Sequence, residues 1–283
     1  MQKPHSKHSD LIDLSRPVRW FLLVLFLAAH CGSTLLAGPI GEGEYGTIKG
    51  RLVWGGANPP PPITLVEKGQ APPNAEICAK NGPILSRDLV VDPKSKGVAY
   101  GFAYIVRPKG SNPEAVRSLL SKAPKVEVDQ KNCVFEPFVL PMHQDQVLVI
   151  KSSDPTNHNV RYNSFSNGSQ NQIMGPGTQQ EYKLKADRFP IKLECDIHNW
   201  MRGYIMVFDH PFFTTTATDG TFEIKGVPAG DQNLIVRQET VGWVTPGLAR
   251  GMPVKVPAGG VIDVGEIKLD PEKASAALPK PKS

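Results

Sequence analysis

Cysteine is scarce in this 283-residue chain, with four residues: Cys31, Cys78, Cys133 and Cys195. That number is too small for a disulfide-dense mini-scaffold. The chain also lacks a glycine-rich phosphate loop, a Ser/His/Asp order and a pair of carboxylates set apart from their surroundings. Their absence removes the usual signatures of nucleotide-dependent and hydrolytic enzymes. No basic cluster with interleaved aromatics occurs, and the formal charge of +5 is a weak excess, so nucleic acid is not implied as a partner. The apolar run from Trp20 to Ala29 is shorter than the roughly 18 to 20 residues that a membrane-spanning helix needs.

What stands at the N-terminus fits export. Lys3, Lys7, Arg16 and Arg19 precede the apolar run, and small residues follow as far as Gly38. Residues 1–38 are expected to be a signal peptide, with the mature chain starting between Ser33 and Pro39. His30 occupies the position where a lipoprotein signal wants a small residue, which argues against lipidation of Cys31. The expected location is therefore periplasmic, extracellular or cell-surface, with no integral span after cleavage.

Glycine (26) and proline (27) are abundant, which favours many turns and few long helices. An all-β chain is expected, with one short helix over 112–121. Short strands separated by turn residues are expected at 46–54, 88–91 and 98–106. From 125 they come at close spacing: 125–129, 133–140, 146–151, 160–163, 180–184, 191–195 and 204–208. That spacing suggests a Greek-key β-sandwich or barrel. In Ile191-Lys-Leu-Glu-Cys195 the odd positions are apolar, so strand alternation places Cys195 on the inward face with Ile191 and Leu193. Residues 271–283 are rich in Ala, Lys, Pro and Ser without an apolar period, and disorder is expected there.

In an exported chain without Cys31, three cysteines remain, an odd number in an oxidising compartment. Cys78 and Cys133 lie in loop-like contexts and can pair. Cys195 is then a lone thiol in need of protection, and a metal would supply it. Cys195-Asp-Ile-His-Asn-Trp-Met201 places Cys, His and Met three residues apart at a strand end, and His158 lies on an earlier loop, Ser153-Asp-Pro-Thr-Asn-His-Asn159. Taken singly, a Met beside a strand belongs to a core and an exported Cys to a disulfide. Together, two imidazoles, one thiolate and a weak thioether make the donor set of a mononuclear type 1 copper site. Zinc fits this set poorly, because structural zinc prefers several Cys or His and Met is a poor ligand for it. A Cys195/His198 nucleophile pair is the weaker reading, with Met three residues past the histidine. Met142, Met174 and Met206 read as packing, and His143 and His210 as surface or turn residues, His143 with a possible secondary metal role.

Cys-x2-His-x2-Met running on into Met201-Arg-Gly203, together with His158-Asn159-Val160, resembles the ligand loops of cupredoxins of the amicyanin and plastocyanin type. The resemblance spans about 125–210. It implies a cupredoxin-like fold, the ligands His158, Cys195, His198 and Met201, and an Asn159 that ties the two ligand loops together through the backbone. It also implies electron entry at a solvent-near edge of His198, with partners docking around Trp200. Leu193, where an aromatic is frequent, and the bulky Trp200 depart from the pattern. Further on, Thr214 to Gln238, with its Asp-Gly, Val-Pro and Gly signals, resembles carboxypeptidase regulatory-like β-sandwich modules. The residues at 46–54 read either as part of that module or as part of an N-terminal extension.

The expected organisation is thus a signal peptide (1–38), an N-terminal β extension with a proline-rich loop (39–124), a cupredoxin-like copper domain (125–210), a small β-sandwich (211–270) and a tail (271–283). The expected function is one-electron transfer through Cu(II)/Cu(I) with one copper ion and an unidentified redox partner protein, without catalysis. The rivals are a copper storage or delivery protein and a cell-surface interaction protein in which the β-sandwich is the working part.

Overall fold

Strand alternation is visible directly in burial: along the strand Ile191–Glu194 the isoleucine and leucine are buried, while the lysine and glutamate are half-exposed. The computed structural model describes residues 44–278, so the expected signal peptide and residues 279–283 lie outside the described residues. In chain order the strands are β1 (Tyr45–Trp54), β2 (Thr64–Val66), β3 (Ile84–Leu85), β4 (Phe102–Ile105), β5 (Lys125–Lys131), β6 (Val134–Glu136), β7 (Val139–His143), β8 (Val147–Ser152) and β9 (His158–Ser164). They continue as β10 (Gly168–Met174), β11 (Gln179–Lys183), β12 (Ile191–Glu194), β13 (Arg202–Phe208), β14 (Phe213–Thr215), β15 (Thr221–Pro228), β16 (Gly230–Gln238), β17 (Gly242–Trp243), β18 (Met252–Val256) and β19 (Val261–Leu269). The α-helices are α1 (Pro113–Lys122) and α2 (Pro271–Ala277). No helix among the described residues is long and apolar enough to cross a membrane.

The chain is all-β, in two packed sandwiches. The first joins the sheets β10-β9-β12-β13-β7 and β11-β8-β5-β6. Val128, Phe135, Met142, Leu148, Ile150, Val160, Ile191, Leu193 and Ile205 fill the space between them. Each such buried side chain contributes about 1.5–3 kcal/mol. The second sandwich joins β15-β1-β19 to β14-β4-β16, with β17 and β18 on β16. Its core holds Ile48, Leu52, Phe222, Ile224, Leu234, Val236 and Leu269. A third apolar cluster binds the two sandwiches together: Phe102, Tyr104 and Ile235 on one side, Phe138, Val139, Met206 and Phe208 on the other.

Several expectations change in detail. β1 pairs antiparallel with β15 and parallel with β19, so residues 46–54 belong to the later sandwich. The stretch expected as one strand at 133–140 is two. β6 pairs with β5 in one sheet, and β7 with β13 in the other, so the chain crosses the sandwich between them. Of 88–91 and 98–106, regular strand forms only at β4, with an isolated bridge between Val91 and Val98. The helix expected at 112–121 is α1, where Asn112 caps the N-terminus by accepting from the Ala115 N–H at 2.9 Å. The expected disorder from 271 is corrected for α2: Asp270 accepts from the Glu272 N–H, Pro271 opens the helix and Ala274 is buried in the second core.

Candidate metal centre

Neighbouring strands deliver both ligand segments to one end of the first sandwich. β12 pairs with β13 from Ile191↔Ile205 to Glu194↔Arg202, so residues 195–201 form the whole hairpin connection. The connection is tight, because the Met201 N–H donates to the His198 carbonyl at 2.8 Å and the Cys195 N–H to the Met201 carbonyl at 3.3 Å. β9 begins at His158 and meets β12 through Arg161↔Glu194. Asn159 links the two segments: its Oδ1 accepts from the Asp196 N–H at 2.6 Å, and its own N–H points at Cys195 Sγ at 3.5 Å. The expected tie through Asn159 is present.

Three donors converge. His158 Nδ1 and His198 Nδ1 lie 3.0 Å apart, and Cys195 Sγ lies 4.0 and 3.9 Å from them. The centre of a triangle with these sides is about 2.1 Å from every corner, the length of a metal–imidazole bond and close to a metal–thiolate bond. His158 and His198 are fully buried, and Cys195 and Met201 nearly so. Met201 packs in the same core cluster as Cys195. The donors present therefore fit one soft, tightly held metal ion. Cys133, Asp154 and His158 also approach one another, but the sulfur of Cys133 is bonded to Cys78, as the expected pairing has it. Cys195 is the free cysteine among the described residues.

Each imidazole turns its other nitrogen to a fixed partner. His158 Nε2 lies 3.0 Å from Asp154 Oδ2, and the Asp154 carboxylate also accepts from the N–H groups of Asn132 and Cys133, both at 2.7 Å. Burial works against the Asp154 carboxylate, but the hydrogen bond to His158 and the two N–H groups outweigh it and hold its pKa below the ordinary value. Burial likewise lowers the basicity of His158, and the Asp154 and Cys195 contacts reverse this into a raised pKa. At Cys195 burial pushes the thiol up, yet the hydrogen bonds from both imidazoles and from the Asn159 N–H bring it down to about 6. His198 Nε2 lies 3.0 Å from Asn74 Oδ1. Gln130 Nε2 donates to the Asn159 carbonyl at 3.1 Å.

Two expectations are overturned here, the solvent-near edge of His198 and the surface placement of His143. His198 has no solvent-near edge, because Asn74 covers it. Trp200 is half-buried, its ring 5.1 Å from that of His198 and its Nε1–H donating to the Cys133 carbonyl at 3.0 Å. His143 is buried rather than at the surface, and it joins no cluster of three metal-ligating groups among the described residues. Glu194 and Asp196, on either side of Cys195, both pair with Arg161, at 3.0 and 2.6 Å. Asp154, Asn74 and Gln130 were not singled out from sequence. Asp154, four residues before His158, left a local signal; Asn74 and Gln130 left none.

No protein-family model matches the chain, and no curated protein does. Among solved structures it is similar to a reduced single-site mutant of amicyanin, at 18% identity over 30% of this chain and 84% of that one, with a TM-score of 0.28. It is similar to a purple cupredoxin from Nitrosopumilus maritimus, at 15% identity over 29% of this chain and 99% of that one, with a TM-score of 0.26. It is also similar to a copper-containing nitrite reductase from Thermus scotoductus SA-01, at 19% identity over 30% of this chain and 22% of that one, with a TM-score of 0.26.

Proposed function

We propose that this chain is an exported, cupredoxin-like electron carrier in which His158, Cys195, His198 and Met201 would hold one type 1 copper ion. The observation that carries the reading is the triangle of Nδ1, Nδ1 and Sγ, with sides of 3.0, 3.9 and 4.0 Å, in a buried pocket beside a thioether. Bound copper would supply a Cu(II)/Cu(I) couple. The residues supply the rest. Cys195, with its pKa at about 6, offers a thiolate at neutral pH. The Nδ1–H hydrogen bonds to Cys195 would give way on metal uptake, with the Nε2–H groups then donating to Asp154 and Asn74, which hold the rings in place. The tight 195–201 connection and the Asn159 tie fix the donors in one arrangement, with the apolar core packed around them.

Voltammetry of the copper-loaded protein tests this reading. A reversible one-electron wave is expected, with the copper retained through many cycles. Copper that binds without such a wave and passes rapidly to a Cu(I) chelator would replace electron transfer by storage or delivery, a role that full burial of the donors disfavours.

A further inference from the structure

Residues 67–83 loop out from the β2–β3 hairpin, whose base is closed by the Ser86 N–H donating to the Ile63 carbonyl at 2.7 Å. This loop lies on the metal end of the first sandwich. Ala71, Cys78 and Ala79, with Val66 and Ile84 at its roots, are buried in the same cluster as Cys195 and Met201. Its Asn74 Oδ1 is the polar partner of His198 Nε2 among the described residues. An imidazole that offers Nδ1 to a metal keeps its proton on Nε2, and the carbonyl oxygen of an amide is a pure acceptor for it.

The same segment is fastened covalently. The Asn74 backbone carbonyl accepts from the N–H groups of Ile77 and Cys78, at 3.0 and 2.7 Å, so Asn74 and the disulfide cysteine share one turn. Across the Cys78–Cys133 bond, Cys133 donates its N–H to Asp154 and accepts from Trp200 Nε1–H. The outer nitrogens of the two imidazoles are therefore tied to the two halves of one disulfide: His158 through Asp154 to Cys133, and His198 through Asn74 to Cys78.

We infer that residues 67–83 are a latched cover, held by the Cys78–Cys133 disulfide, that seals the metal centre at His198, with Asn74 as a positioning residue for that imidazole. The cover sets how fast solvent and metal-exchanging molecules reach the centre, and a redox partner meets the cover and Trp200 rather than a bare histidine edge. The inference deepens the copper reading, but its main test needs no copper.

In the metal-free protein, the His198 Nε2–H should be visible by NMR and slow to exchange. Diethyl pyrocarbonate should modify His198 far more slowly than an exposed histidine. Asn74→Ala should speed exchange of that proton about tenfold, and Asn74→Asp, which keeps an acceptor oxygen, should restore most of the protection. Removing the latch with Cys78→Ala and Cys133→Ala together should expose His198 to the reagent. In the copper-loaded protein, bathocuproine disulfonate should extract Cu(I) about 10- to 100-fold faster from both Asn74→Ala and the cysteine pair than from the unaltered protein. Exchange and modification rates at His198 that are unchanged in Asn74→Ala and in the cysteine pair would overturn the cover. Failure of the unaltered protein to take up copper would count against the functional reading alone, since the exchange and modification rates decide the cover without it.

Discussion

At Cys195 two opposing effects meet: burial penalises a thiolate, while two imidazoles and a backbone N–H favour it, and the second effect wins by bringing the thiol to about 6. Met201 is a buried thioether in the same cluster, and in the proposed site it would tune the metal rather than hold it. Met201→Leu nearly conserves volume and should cost under about 1.5 kcal/mol of stability while keeping copper and colour. Loss of a donor that favours Cu(II), with hydrocarbon in its place, should raise the reduction potential. Voltammetry of the two proteins reads the sign, and an unchanged or lowered potential would remove Met201 from the ligand set. The four proposed ligands were legible because their types and order sit in two short segments. Asn74 was not, because nothing in its neighbourhood tells that the chain brings it against His198, 124 positions later.

Among elements, legibility followed apolar alternation. β12 was clear because Ile191, Leu193 and Cys195 alternate with polar residues. β10, Gly-Ser-Gln-Asn-Gln-Ile-Met, was missed: it is an edge strand with most of its residues exposed, so it carries no apolar period. β1 was seen as a strand but not placed, since its partners β15 and β19 lie in the last quarter of the chain. Its Leu52 is fully buried in the core of the second sandwich, and Leu52→Ala should cost about 2–5 kcal/mol in chemical denaturation. Just past β13, His210 ring-stacks on Phe212 and accepts from the Phe212 N–H at 3.1 Å. Burial lowers its pKa from the ordinary 6.5 to about 4; Asp209 opposes that shift and His143 adds to it. The unfolded chain therefore takes up this proton first. The stability that neutral His210 contributes is complete above pH 6.5 and is lost as the pH falls toward 4. Melting temperatures of the metal-free protein should drop more steeply over that interval than those of His210→Gln, and parallel curves would contradict the assignment.

At the scale of the whole molecule, the second sandwich draws its strands from both ends of the described chain, β1 and β4 before and β14 to β19 after, while the first is formed by the continuous run β5 to β13 between them. The aromatic and aliphatic cluster of Phe102, Tyr104, Phe138, Met206 and Phe208 fastens the two, so the ligand strands are braced from behind as well as by their own core. The sequence left this nesting open, since 46–54 reads there either as part of the later module or as part of an N-terminal extension; the all-β class and the strand-rich central stretch were plain. The bracing holds the donors in place before any metal arrives, so copper should meet a site already formed. Titration of the metal-free protein with Cu(II), followed by visible absorption, tests this most directly. An intense thiolate-to-copper band should rise to an end point at one equivalent and be absent in Cys195→Ser, whereas a chain that binds Cu(II) without that band, or shows it equally in Cys195→Ser, would contradict a type 1 centre.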